Sequence, residues 1–190
     1  MVETLTGTNR SKGITYNELL DMDTHNVPTK LREDAPLEPG PTIVNPSIYY
    51  SRDFFDLEVE RLWKRVWQLA CHEDDIPNVG DTLVYDIASL SYIIVRTGKD
   101  EIKAFPNACL HRGRALATED ESGLHEFRCP FHGWAWKLDG TLKEVPCQWD
   151  FPSVSAKTHS LPSVQVGRWG GFVFINPDDK AGPLKEFLGD

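Results

Sequence analysis

The chain has 190 residues, 40% of them hydrophobic, and its 29 acidic and 20 basic residues give a net charge of −9. This length favours one domain with an appendage, and the acidic balance argues against a nucleic-acid partner. The sequence has no apolar run long enough to span a membrane and a polar start without a signal peptide, so we expect a cytoplasmic protein with reduced thiols.

Residues 1–48 are predicted to form an N-terminal arm. Thr15 and Glu18 have the spacing of a capping box, which predicts a short helix from Tyr16 to Asp23. Prolines separated by charged residues then favour an extended segment that wraps a surface or a neighbouring subunit, with disorder as the open alternative. These prolines are Pro28, Pro36, Pro39, Pro41 and Pro46.

Residues 49–190 are predicted to form the main domain, which begins with a helix. Ser51 is a candidate N-cap, and apolar residues at helical spacing continue to about residue 66, which predicts a helix with one face packed on a sheet. This apolar face consists of Phe55, Val59, Leu62 and Val66. His72 and the three acidic residues after it are interpreted as a solvated loop rather than a metal site.

From Gly80 onwards the pattern predicts β structure, because short runs rich in Val, Ile, Tyr and Phe alternate with turn residues. The predicted strands are Thr82–Ile87, Ser91–Thr97, Glu101–Pro106, His125–Arg128, Trp134–Leu138, Val164–Trp169 and Phe172–Asn176. Residues 144–162 contain three prolines and are expected to be irregular, and a short helix is predicted over Leu184–Leu188. The fold class is therefore mainly β, with small antiparallel sheets and N-terminal helices.

Two short stretches contain the residues from which a function can be predicted. Cys109 and His111 have one residue between them, Cys129 and His132 have two, and 17 residues separate His111 from Cys129. Two thiolates and two imidazoles on two loops can hold a mixed-ligand [2Fe–2S] cluster, with both cysteines on one iron and both histidines on the other.

Four neighbouring residues are predicted to form the cluster environment. Gly113 and Gly133 closely follow the last ligand of each loop, and without a Cβ atom they let backbone N–H groups approach bridging sulfides. Arg112 is expected to form a structural ion pair or to pack on the cluster. Trp134 is expected to shield the cluster from water.

Zinc is the competing interpretation, since two cysteines and two histidines also form a tetrahedral site. A Cys-x-His step is unusual for zinc, and the ligand order alternates between Cys and His, which favours the cluster. Unligated thiols and imidazoles are a further alternative. The other two cysteines, Cys71 and Cys147, are expected to be buried thiols.

The pattern resembles the Rieske domain of aromatic ring-hydroxylating oxygenases, in their large (α) subunit. Every fixed position of the motifs Cys-x-His-Arg-Gly and Cys-x-x-His-Gly-Trp is met, and the resemblance extends from about Tyr49 to the last residue. It implies a Rieske-type fold of small antiparallel sheets with two cluster-binding hairpin loops. The cluster ligands that it implies are Cys109, His111, Cys129 and His132.

The resemblance also implies a function, which is to accept electrons from a ferredoxin or reductase and to pass them to a mononuclear Fe(II) in a neighbouring subunit of a homotrimer or α3β3 assembly. His132 matches the family's histidine that hydrogen bonds a bridging carboxylate. The iron site of two histidines and a carboxylate has no candidate in this sequence, so the chain alone is not expected to hydroxylate a substrate. A stand-alone Rieske ferredoxin is the alternative, which the arm and first helix disfavour.

Respiratory and photosynthetic Rieske proteins differ from this sequence at three places near the cluster. They carry two further cysteines and a serine, where this chain has Arg114, Phe131 and Trp134. Fewer hydrogen bonds to sulfur leave more electron density on the cluster. The sequence therefore predicts a reduction potential at the lower end of the Rieske range, roughly −150 to 0 mV.

Overall fold

The computed structural model describes residues 13–33 and 44–189. The chain divides into two compact units, Met1–Asn45 and Pro46–Asp190, and each is described by itself. Three prolines of the predicted extended segment, Pro36, Pro39 and Pro41, lie outside the described residues. The limits predicted for the arm and the main domain stay a prediction.

The described part of the first unit contains one α-helix, α1, at Tyr16–Asp21. Its predicted capping box is present, because the Glu18 N–H donates to the Thr15 hydroxyl at 3.2 Å and the Thr15 N–H donates to the Glu18 carboxylate at 2.7 Å. The helix ends two residues earlier than predicted, and a 3₁₀ turn follows at Thr29–Arg32.

The helix predicted over residues 51–66 is α-helical only in its first half. Helix α2 covers Arg52–Glu58 with Ser51 as its N-cap, and the chain continues as a π-helical turn at Val59–Trp63. The wider turn takes the following residues out of the 3.6-residue period. As a result Val59 is buried while Leu62 is 39% exposed, so the prediction of one continuous buried face is wrong.

Nine strands among the described residues form the rest of the second unit with two short helices. The strands are β1 (Gln68–His72), β2 (Thr82–Ile87), β3 (Leu90–Gly98), β4 (Glu101–Pro106), β5 (Glu126–Arg128), β6 (Ala135–Lys137), β7 (Leu142–Glu144), β8 (Gln165–Trp169) and β9 (Phe172–Asn176). They pair as three antiparallel sheets, in the orders β1-β9-β8, β2-β3-β4 and β5-β6-β7. The helices are α3 (Ala156–His159) and α4 (Leu184–Leu188). None of the helices that the structure describes is long and apolar enough to cross a membrane.

The predicted strands form within one residue of their expected limits, which confirms the mainly β fold class. Strands β1 and β7 and helix α3 were not predicted. His72 ends β1 rather than opening a solvated loop, and its ring meets the Phe172 ring of β9 edge-on at 5.2 Å. Strand β7 and helix α3 have only three and four residues, and β1 forms by pairing with β9. The pairing and packing of neighbouring segments therefore decide these elements.

The sheet β2-β3-β4 separates two hydrophobic clusters. Side chains alternate along β3, so Ile93 and Val95 face the cluster that contains Cys109 and Cys129, whereas Ile94 faces the cluster shared with β1 and β9. Because both faces are covered, the five central residues of β3 are all buried. The two cysteines therefore belong to the buried cluster on one face of this sheet.

Candidate metal centre

Loop 1 is the segment Cys109–Arg114, which follows β4 and closes on itself. The Cys109 N–H donates to the Arg114 C=O at 2.8 Å, and the Gly113 N–H donates to the Cys109 C=O at 2.8 Å. Gly113 has a φ of +73°, in the left-handed region that a residue without a Cβ atom adopts without strain. The turn itself therefore requires glycine at this position.

Loop 2 is the segment Cys129–Trp134, which joins β5 to β6 and repeats this backbone frame. The Cys129 N–H donates to the Trp134 C=O at 2.8 Å, the Gly133 N–H donates to the Cys129 C=O at 3.0 Å, and the φ of Gly133 is +74°. Glycine thus lies four residues after cysteine in both loops, although histidine lies two residues after it in loop 1 and three in loop 2. The approach of backbone N–H groups to bridging sulfides stays a prediction.

Across the two loops, the cysteine of one loop lies near the cysteine of the other, and the same holds for the two histidines. Cys109 and Cys129 are 3% and 2% exposed, belong to the same buried cluster and are both free thiols. The rings of His111 and His132 lie 4.7 Å apart between centroids, at an interplanar angle of 66°. The structure therefore brings together two sulfur donors and two nitrogen donors from the four predicted positions.

The two histidines differ in their exposure. His132 is exposed, whereas His111 is only partly exposed. The His111 ring stacks on the buried Trp134 indole, with 4.9 Å between ring centroids and an interplanar angle of 4°. It also meets the edge of the Phe151 ring, at 5.6 Å between centroids. The Nδ1 atom of His111 is buried and has no hydrogen-bond partner among the described residues. His132 is therefore the more accessible of the two imidazoles.

The protonation of the site favours neutral groups. Burial raises the pKa of the Cys109 thiol, against the effect of hydrogen bonds from the backbone N–H groups of His111 and Arg112, which lower it. Burial, together with the nearby His132 and Arg112, lowers the pKa of His111. A thiolate here therefore needs a compensating positive charge, and a neutral imidazole is the form that binds a metal.

These features fit a metal group held between the two loops. A buried Nδ1 atom without a partner costs about 1–3 kcal/mol unless a ligand satisfies it, and buried cysteines become thiolates when a metal binds them. The donor set is the one that a Rieske cluster uses, with two thiolates on one iron and two imidazoles on the other. Among the described residues, no three or more His, Cys, Asp or Glu side chains surround a single ion position.

The residues predicted to surround the cluster differ in their burial. Trp134 is buried, 3% exposed, and its ring also contacts the rings of Phe151 and Trp136 at 5.3 and 6.3 Å. Arg112 is exposed and forms no ion pair with another described residue, so the expected structural ion pair is absent from the part of the chain that the structure covers. Its positive charge still acts on the site, because it helps to lower the pKa of His111.

The two remaining cysteines were both expected to be buried, and only one is. Cys71 is 5% exposed, and burial raises the pKa of its thiol to about 12. Cys147 is exposed and has a φ of +55° at the start of a 3₁₀ turn, so the prediction is wrong for this residue. The turn over Gln148–Asp150 holds it on the surface, which the sequence pattern did not indicate.

Two residues that hold the loops were not predicted. Asn107 is buried just before loop 1, and Arg128, at the end of β5, donates to the Gly133 C=O of loop 2 at 2.9 Å. Arg128 also pairs with Glu126 and Glu144, each at 2.7 Å. The only sequence signal for either is a polar residue one or two positions before a candidate cysteine, which is too common to be specific.

The comparisons with known proteins define the class to which this fold and site belong. The family model of the Rieske [2Fe–2S] domain matches residues 66–160, half of the chain, so the chain belongs to this family. The matched range contains both loops and all four candidate ligands.

Individual relatives refine this assignment. The large subunit of anthranilate 1,2-dioxygenase from Acinetobacter baylyi is 36% identical over 140 residues, which cover 73% of this chain and 30% of that protein. A naphthalene 1,2-dioxygenase structure with indole in its active site has a TM-score of 0.70 at 31% identity, covering 75% of this chain and 33% of that one. The apo quaternary ammonium Rieske monooxygenase CntA has a TM-score of 0.69 at 29% identity, covering 75% and 41%.

The chain spans about a third of the length of the curated relatives that it matches. Its matched region includes the Rieske portion, since a match over 140 of the 190 residues must overlap residues 66–160. The resemblance to the Rieske domain of oxygenase α subunits is thereby confirmed.

Proposed function

We propose that this chain is the electron-accepting domain of a Rieske-type aromatic ring-hydroxylating oxygenase. It takes electrons from a ferredoxin or reductase and passes them to a mononuclear iron site for O₂-dependent hydroxylation. The observation that carries the proposal is the meeting of two buried thiols and two adjacent imidazoles on two loops with one backbone frame. The dioxygenase relatives, of which the chain spans about a third, support an oxygenase domain over a stand-alone ferredoxin.

The proposed ligands are Cys109 and Cys129 on one iron and His111 and His132 on the other. When bound, a [2Fe–2S] cluster supplies one-electron redox chemistry at a potential that imidazole ligation raises above that of an all-cysteine cluster. Trp134 keeps water from one face of the His111 ring and fixes its plane by stacking. The mononuclear Fe(II), held by two histidines and a carboxylate, is proposed to lie outside these 190 residues.

His132 is the residue proposed to face the electron acceptor. Its ring is exposed, and the Phe131 ring lies 3.9 Å away and covers part of it. An exposed imidazole can donate a hydrogen bond from its ring N–H to a carboxylate of a neighbouring subunit, as the resemblance implies. His111 is enclosed by aromatic rings, so the two histidines are proposed to have different roles, His132 in contact with the partner and His111 inside the domain.

The proposed assembly is a homotrimer or an α3β3 complex in the cytoplasm. The substrate is proposed to be aromatic because the relatives include an anthranilate dioxygenase and a naphthalene dioxygenase. The similarity to a quaternary ammonium monooxygenase is nearly as high. The choice of substrate, and of mono- or dioxygenation, is therefore proposed to be made by residues outside the Rieske domain.

EPR spectroscopy of the dithionite-reduced protein, with iron, sulfide and zinc analysis, tests the proposal. We expect about two irons and two sulfides per chain and the g values of a cluster with mixed Cys/His ligation. One zinc per chain with no EPR signal would refute the cluster. A carrier and an oxygenase domain differ in what accepts the electron, so single-turnover reoxidation by an added mononuclear-iron domain distinguishes them.

A further inference from the structure

Loop 2 is closed by strand pairing, and loop 1 is not. Strands β5 and β6 pair directly on either side of loop 2, with Arg128 opposite Ala135. After loop 1, residues 115–125 form bends and irregular structure with a single isolated bridge at Glu121. The two ends of loop 1 must therefore be held together by something other than a strand ladder.

The side chain of Asn107 occupies the base of loop 1. It is 7% exposed, and its Oδ1 accepts the N–H groups of Leu116 and Ala117 at 2.8 and 3.0 Å. Its Nδ2 donates to the Ala117 C=O at 2.7 Å and to the Ser91 hydroxyl at 3.0 Å. The residues before loop 1, the residues after it and the start of β3 therefore meet at one amide group.

An amide is the side chain that fits this position. Two N–H donors face one side of Asn107, and a C=O and a hydroxyl face the other, so both halves of the amide are paired. Aspartate would lose the donor half, and leucine, which has nearly the same shape, would lose both. The buried backbone groups around it would then have neither water nor a protein partner.

The segment that Asn107 holds belongs to the buried cluster that contains the two candidate cysteines. Leu116 and Ala117 belong to the same buried cluster as Cys109 and Cys129. Fixing residue 107 against residues 116 and 117 fixes both ends of loop 1, within which the Cys109 N–H closes on the Arg114 C=O. A shift at the base would therefore change the position of the cysteine and of the histidine two residues after it.

We propose that Asn107 is a positioning residue for the iron–sulfur site, whose side chain sets the geometry in which loop 1 presents Cys109 and His111. It acts through the loop backbone and does not contact the ligand atoms. The inference rests on the proposed function, because it requires that the two loops hold a cluster.

The test compares two buried asparagines in the cluster-loaded protein. Asn176 is 1% exposed, and its amide also joins separate segments, since Nδ2 donates to the Arg65 C=O at 3.2 Å and Oδ1 accepts the Asp178 N–H at 2.9 Å. It lies at the end of β9, outside the hydrophobic cluster that contains the candidate cysteines. Asn176→Leu is therefore the control for Asn107→Leu, because it also removes a buried amide, with two hydrogen bonds instead of four, outside the buried cluster of the loops.

Three readouts separate positioning from general destabilisation: the EPR spectrum of the reduced protein, the reduction potential, and the rate at which a chelator bleaches the visible absorbance. For Asn107→Leu we expect a broadened EPR spectrum, a shifted potential and roughly ten-fold faster bleaching. For Asn176→Leu we expect a lower melting temperature with the EPR spectrum and potential of the parent. Parental values in Asn107→Leu, or equal changes in both variants, would overturn the inference.

A second pair keeps the test decisive if either leucine variant does not fold. Asn107→Asp retains the acceptor that binds the two N–H groups and loses only the donor half, so it should bleach faster than the parent and faster than Asn176→Asp, and equal rates would overturn the inference. Asn176→Asp is its control, and EPR line shape and bleaching rate are compared because an added charge moves the potential by itself. If the parent protein shows no iron–sulfur signal, the proposed function fails; if it shows one that Asn107 does not affect, only this inference fails.

Discussion

Loops 1 and 2 share one backbone frame and are stabilised by different chemistry. Loop 1 is closed by a neutral, buried amide, whereas loop 2 is closed by strand pairing and by the exposed guanidinium of Arg128, which donates to the Gly133 C=O at 2.9 Å. Glu126 and Glu144 hold that guanidinium in place, and Lys143 pairs with Glu126.

This difference shows which part of the site the chemistry demands. The backbone frame from cysteine to glycine recurs in both loops, with the same hydrogen bonds and nearly the same glycine φ, because it positions the sulfur and nitrogen donors. The contacts that stabilise the frame differ between the loops, because different side chains and strands lie next to each loop. We therefore expect the two loops to respond alike to changes in the frame and differently to changes in salt and pH.

The largest effect should come from removing one sulfur donor from each loop in turn. Cys109→Ser and Cys129→Ser should both lose the EPR signal and most of the bound iron and sulfide, because each removes a thiolate from the same proposed iron. Cys147→Ser, which changes an exposed thiol, should retain all three. Full iron content in either of the first two variants would show that the loops are not equivalent.

A smaller effect is expected from adding a methyl group to the glycine of each loop. Gly113→Ala and Gly133→Ala should each lower the free energy of unfolding by about 1–2 kcal/mol, because an L residue is strained at a φ above +70°. The loss should be larger at Gly133, where a Cβ would lie 3.3 Å from the Pro146 side chain, whereas nothing lies within 4 Å at Gly113.

Urea unfolding of the two alanine variants measures this difference. Gly182→Ala is the control, because that glycine has no positive φ and its nearest neighbour would lie at 3.5 Å. A midpoint for Gly113→Ala equal to that of the Gly182→Ala control would contradict a shared conformational requirement in the two loops.

Salt should separate the two loops by a modest factor. Raising the ionic strength screens the exposed charges around Arg128 and leaves the amide of Asn107 unaffected. Chelator bleaching of the parent should therefore accelerate with salt, by less than about five-fold, and Arg128→Gln should remove most of that dependence. Arg168→Gln, which removes an exposed arginine that pairs with Glu73, is the control. An unchanged salt dependence in Arg128→Gln would exclude the ionic clamp.

The smallest expected effect is the response of loop 2 to acid. Lys143 and Arg128 hold the pKa of Glu126 below its ordinary value of 4.5. The stabilisation by these pairs is therefore fully present above that value and is lost as the pH falls through the lower pKa of the folded state. The difference in melting temperature between the parent and Glu126→Gln should be constant near neutral pH and shrink below pH 4.5.

Glu119→Gln provides the comparison for this acid series, because Glu119 is an exposed acid on the segment between the loops. The difference in melting temperature between Glu119→Gln and the parent should not change over the same pH range. A difference for Glu126→Gln that stays constant down to the lowest pH at which the protein folds would show that Glu126 contributes no charge-dependent stability.

Most strands could be predicted from the sequence, and the exceptions have local causes. Strands β2 to β4 contain long runs of β-branched and aromatic residues, and their limits were found within one residue. Strand β7 has three residues and no period to read, and it forms because β6 pairs with it. The π-helical turn after α2 could not be predicted, because the spacing of the apolar residues there is the spacing of a continuous α-helix.

The residues of the candidate site could be predicted from the sequence better than the residues that surround it. The spacing of the two Cys/His pairs indicated the donor set, and the structure places the two cysteines in one buried cluster and the two imidazole rings side by side. Their role as ligands awaits the spectroscopic test. The exposure of Cys147 and the clamps by Asn107 and Arg128 depend on which segments pass nearby, so no local pattern indicates them.

By itself, the sequence determined which donor types are available, how far apart they lie along the chain, and that short antiparallel strands carry them. Those properties are local, since they depend on residue identity and on spacings of a few positions. Only the tertiary structure decided that His111 is enclosed while His132 is exposed, and that loop 1 is held by an amide and loop 2 by strand pairing and a guanidinium. These outcomes arise from contacts with segments that are distant in the chain, whose free energies depend on the neighbours that packing brings there.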